Sequence, residues 1–135
     1  MDTTYKKKVL LHTDTPLAKT GFGRFCKSLM SFLHKTQKYN LINYACGIND
    51  GNPELDKLPW RTRGALPSNP QELEQINRDP GLSRIAAYGG YQIDKIILEE
   101  KPDIYIACND PWAYDGYLYE KWWYGKIPGL ARAAQ

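Results

Sequence analysis

Three groups of residues in this sequence have the types and spacing to do chemistry. His12 and Asp14 follow a short apolar run, Thr20-Gly21-Phe22-Gly23-Arg24 comes shortly after, and Asn109-Asp110 closes a second apolar run. Glycines at 21 and 23 let backbone N–H groups approach a ligand closely, and a helix starting there adds partial positive charge. Arg24 would reinforce such an anion site; the plainer alternative is a tight strand-to-helix turn with Arg24 in solvent. His12 reads either as a polar group over a pocket or as a satisfied histidine at a strand end. Asp110 reads as a helix cap, with a sugar hydroxyl as a second partner.

Other chemistries fail on the same residues. After Gly21 and Gly23 a dinucleotide fingerprint wants Gly or Ala where Cys26 stands, and no acid ends the second strand. The phosphate-loop pattern GxxxxGK is absent, and Ser28 and Ser31 lack the GxSxG turn of a hydrolase nucleophile. No His/Cys/Asp/Glu cluster has metal-ligand spacing. Cys26, Cys46 and Cys108 form no CxxC pair and read as buried thiols in a reducing cytoplasm.

The elements that position these groups follow from apolar spacing. Lys8 to Thr13 reads as a strand buried on both faces, as in a parallel sheet. Apolar residues at 22, 25, 26, 29, 30, 32 and 33 predict a helix, with Thr20 as its N-cap. Tyr39 to Cys46 reads as a second strand ended by Gly47. Residues 47 to 84 hold five of the nine prolines and read as an excursion with short elements, in which Asn69-Pro70 starts a helix. A helix from Tyr91 stops at Lys101-Pro102, Asp103 to Cys108 is a strand, and Asn109-Asp110-Pro111 caps a last helix.

This order predicts one α/β domain over residues 1–135, a Rossmann-like parallel sheet with flanking helices. Ligands of such a sheet bind beyond the carboxyl ends of its strands, where all three groups arrive.

The 135 residues carry 18 Lys+Arg against 15 Asp+Glu, too balanced for nucleic-acid binding by charge alone. No apolar run approaches the ~20 residues of a membrane span, and no signal peptide is read. The aromatic set Trp112, Tyr117, Trp122, Trp123 and Tyr124 reads as interface or core rather than a base-stacking platform, for want of basic neighbours.

"KKVLLHTDTPLAKTGFGR" and "IDKIILEEKPDIYIACNDPWAY" resemble the N-terminal domain of group 1 glycosyltransferases of the two-Rossmann-domain (GT-B) type, over roughly residues 6–47 and 88–128. The resemblance implies transfer of a sugar from a nucleotide-sugar donor to an unknown acceptor, with no further cofactor. It implies that Thr20, Gly21, Phe22, Gly23 and Arg24 line the cleft. Asn109 and Asp110 would stand beside the reacting sugar as catalytic candidates. The family's second domain, with two Glu eight positions apart, has no counterpart here, so a fragment that is inactive alone is expected. The rival expectation is a non-catalytic module that self-associates, or meets the missing domain, through the aromatic C-terminal helix.

Overall fold

The computed structural model describes residues 6–19, 21–108, 121 and 123, with Phe22 described by its backbone alone. Four strands, β1 (Lys8–Asp14), β2 (Asn40–Asn49), β3 (Arg61–Leu66) and β4 (Ile104–Cys108), form one sheet in the order β3-β2-β1-β4. Every pairing is parallel. The fold is thus α/β, a Rossmann-like parallel sheet with helices on both faces.

Alternation along the strands divides the core in two. Val9 and Leu11 of β1 face α1 (Gly21–Thr36) and pack with Cys26, Met30, Leu41 and Trp60. Leu10 faces the other way, joining Ile42, Tyr44, Tyr105 and Ala107 beneath Ile93, Ile96 and Ile97 of α4 (Ile93–Glu100). The predicted apolar stripe of α1 is only half used. Cys26 and Met30 are buried, whereas Phe25 and Phe32 are exposed.

The second strand passes the glycine expected to end it. Gly47 takes φ +75, a conformation glycine adopts without a Cβ penalty, and the strand continues to Asn49 with slipped pairing against β3 between Ala45 and Asn49. The excursion is more ordered than its prolines suggest. It contains a 3-10 turn (Pro53–Lys57), the edge strand β3, and two short helices, α2 (Pro70–Asn77) and α3 (Pro80–Ala87). Asn69 caps α2 as expected, its side-chain oxygen accepting the N–H groups of Gln71 and Glu72. Asp79 does the same for α3 through Gly81 and Leu82, again with Pro at the first helical position.

At the amino end of the sheet one carboxylate joins three elements. Glu100, at the end of α4, accepts from Lys8 of β1 and from Arg61 and Arg63 of β3 at 2.8–3.2 Å. Its side chain is 4% exposed. Burial works to raise the Glu100 carboxyl, but the hydrogen bonds from Arg61, Lys8 and Arg63 override it and hold the carboxyl at about 2.

Candidate functional site

The carboxyl ends of β1 and β2 open onto a cavity of about 290 Å³. Asp14 and Thr15 line one wall with Ala18, Cys46 and Gly47 line another, and Ala87 and Tyr88 close it from α3. Of the predicted residues, Asp14 is therefore at the cavity itself. The turn that follows is fixed by an Ala18 N–H bond to the Thr15 carbonyl at 2.9 Å, and it hands the chain to α1.

The two loop glycines have different physical reasons. A Cβ on Gly23 would overlap the Ala18 carbonyl oxygen and lie 3.0 Å from that of Thr15, so Gly23 lets the first turn of α1 press on the 15–18 turn. A Cβ on Gly21 would meet nothing within 4 Å. Gly21 is thus free of any packing reason and stands, exposed, at the start of α1. Phe22 lies between them in the first turn, and Arg24 is exposed one residue on. Thr20, Asn109 and Asp110 lie outside the described residues.

His12 lies beneath the cavity rather than in it. Its ring is fully buried, with Nε2 2.8 Å from the Tyr88 carbonyl oxygen and Nδ1 2.6 Å from the Tyr105 hydroxyl. A carbonyl can only accept, so Nε2 carries the proton and Nδ1 accepts from Tyr105. Burial pushes the imidazole down to about 4, against the opposing effect of the Tyr88 hydrogen bond, and so keeps it neutral. Tyr44 lies beside the ring and donates from its hydroxyl to the Gly89 carbonyl at 2.7 Å. A Cβ on Gly89, whose φ is +103, would run into the His12 and Tyr44 rings. Tyr88 in the cavity wall is therefore held from below by His12, and the next residue, Gly89, by Tyr44.

Comparison with protein-family models, with curated proteins and with solved structures returned no match. The site must accordingly be read from its own chemistry. Tyr44, Tyr88, Tyr105 and Gly89 were not singled out in the sequence, although a trace was there. Tyr44 is paired directly with His12 across the sheet, and Tyr105 occupies the same face of β4. Cys26, Cys46 and Cys108 are buried thiols outside any disulfide, and burial pushes the Cys26 thiol up to about 11 despite its hydrogen bond with Thr13. A thiol so poorly ionised is no nucleophile. Among the described residues no group of three or more His, Cys, Asp or Glu could hold a metal ion. No described helix is long and apolar enough to cross a membrane.

Proposed function

We propose that this chain forms the acceptor-side wall of a glycosyl-transfer cleft, working on a sugar carried by a nucleotide donor. The observation that supports this is the cavity at the carboxyl ends of β1 and β2, with Asp14 in its lining and the start of α1 following the turn beside it. The positive end of a helix attracts phosphate, and Gly21 leaves the space for that approach. Arg24 adds a full charge near the same end. Asp14 supplies a carboxylate acceptor for a sugar hydroxyl, and the neutral His12 fixes the opposite wall without titrating near neutral pH. The donor is a co-substrate, and the reading calls for no further cofactor.

The two glycines make the test clean. Gly23→Val damages the turn whatever the ligand, because any Cβ there meets backbone. Gly21→Val has room, so it should keep the thermal midpoint of the wild type yet block close phosphate approach. Isothermal titration of uridine- and guanosine-diphosphate sugars should show binding weakened about tenfold in Gly21→Val, the scale of one lost charge-assisted contact. Equal affinity in the two chains would leave the loop a plain turn and remove the basis of the proposal.

A further inference from the structure

The larger cavity, about 640 Å³, lies at the opposite end of the sheet, where the strands begin. Its size falls in the range of small-molecule sites. Four cations line it: Lys6, Lys8, Arg61 and Lys101. Two of them are fixed from below, because the buried Glu100 carboxylate takes Lys8 Nζ at 2.8 Å and Arg61 Nη2 at 2.9 Å. Arg63 shares that carboxylate but is balanced by Asp50 and Glu99 as well. The other two, Lys6 and Lys101, are exposed and make no ion pair among the described residues. Asp103 is the one carboxylate among the described lining residues, and it accepts the Lys8 backbone N–H at 2.8 Å.

Four cations thus converge on a space where two carboxylates, Glu100 and Asp103, oppose them. The C-terminal ends of α1 and α4 lie at this end of the sheet and favour nearby positive charge, which accounts for Lys35 in the last turn of α1 and Lys101 at the C-cap of α4. It does not account for a buried carboxylate that holds an ammonium and a guanidinium side by side at a cavity wall. A second sign comes from Trp60, which also lines the cavity. Trp60 is 6% exposed, and its buried indole Nε1 has no hydrogen-bond partner among the described residues.

We propose that this amino-end cleft binds a phosphate-bearing anion, with Lys8 and Arg61 presented by Glu100 and with Lys6 and Lys101 completing the charge. Glu100 takes Arg61 Nε and Nη2, so the remaining guanidinium N–H groups and the three ammonium groups face the cavity. With Glu100 and Asp103 counted, the excess is about two positive charges, which matches a divalent phosphate better than a single carboxylate. The site is independent of the transfer cleft, since it lies at the other end of every strand.

The test uses the full chain and inorganic pyrophosphate at constant ionic strength, followed by isothermal titration. The variant carries Lys6→Gln with Lys101→Asn, because Asn tolerates the left-handed conformation that Lys101 holds at φ 49. Pyrophosphate should bind the wild type saturably and the double variant about tenfold or more weakly. Co-sedimentation with phosphatidylglycerol vesicles, against phosphatidylcholine alone, distinguishes the source. Binding to the anionic vesicles that the double variant loses assigns the phosphate to a lipid headgroup, and pyrophosphate binding without it assigns a free ligand. An unliganded thermal midpoint equal to wild type certifies the double variant; if it falls, Lys6→Gln alone carries the test with the same expected weakening. Absence of saturable binding in both arms, or undiminished binding by the certified variant, overturns the proposal.

Discussion

His12 shows how a residue type that suggests catalysis can instead hold a wall in place. Its two nitrogens are joined to Tyr88 and Tyr105, and its neutral form is the one that fits. The unfolded chain protonates this ring near 6.5 and the folded chain near 4, so below 6.5 the unfolded state binds the extra proton. Stability from His12 is therefore complete above about pH 6.5 and is lost as pH falls to about 4, amounting to about 3 kcal/mol. Urea midpoints measured between pH 7 and pH 4 should fall over that window, and the fall should be much smaller in His12→Asn. Glu100 gives a second, more acidic window. Its carboxyl is held at about 2 against an ordinary 4.5, so its contribution is present above 4.5 and disappears as pH drops toward 2. Two separated acid steps are expected, and a single step centred on the carboxylate range would show that His12 is not held neutral.

At the scale of elements, legibility followed the density of apolar residues. β1 and β4 were readable because each carries an apolar run, Val9-Leu10-Leu11 and Ile104-Tyr105-Ile106-Ala107, as strands covered on both faces require. β3 was not. Its sequence Arg-Thr-Arg-Gly-Ala-Leu has no apolar run, because as the edge strand beyond β2 it spends Arg61 and Arg63 on Glu100 and Asp50 instead of on a core. The caps divide in the same way. Asn69-Pro70 reads as a helix start in the sequence, while the equivalent Asp79-Pro80, with the same cap geometry, does not stand out from the proline-rich stretch around it. Because each cap satisfies N–H groups that would otherwise be orphaned, Asn69→Ala and Asp79→Ala should each cost about 1 kcal/mol in urea unfolding. Glu100→Gln should cost more, about 3 kcal/mol, since it leaves Lys8, Arg61 and Arg63 crowded around a neutral group. If Glu100→Gln proved as mild as the caps, the joint between β1, β3 and α4 would be held by packing rather than charge.

Across the whole molecule, the parallel sheet was legible, whereas the basic cleft at its amino end was not. A net charge of +3 conceals the segregation, because Lys6, Lys8, Arg61 and Lys101 come from three distant stretches of sequence and meet only when β1, β3 and the end of α4 align. The aromatic C-terminal set was equally ambiguous in the sequence, where interface and core predict the same residues. Trp123 decides its own case. It is 1% exposed, its ring lies edge-on to Tyr105 at 5.0 Å between centroids, and its Nε1–H donates to Asp94 at 2.9 Å. Lys121 pairs with the other oxygen of the same carboxylate at 2.8 Å. Lys121 and Trp123 therefore lie on the α4 face of the sheet, Trp123 within its core. Trp112, Tyr117, Trp122 and Tyr124 lie outside the described residues. A sticky-surface reading of Trp123 expects Trp123→Ser to reduce self-association and leave stability alone. Burial predicts the reverse: removing a large aromatic side chain from the core costs about 3–5 kcal/mol and uncovers Tyr105, so the variant should unfold at lower urea and associate more in sedimentation. A Trp123→Ser chain as stable as wild type and cleanly monomeric would take Trp123 out of the core.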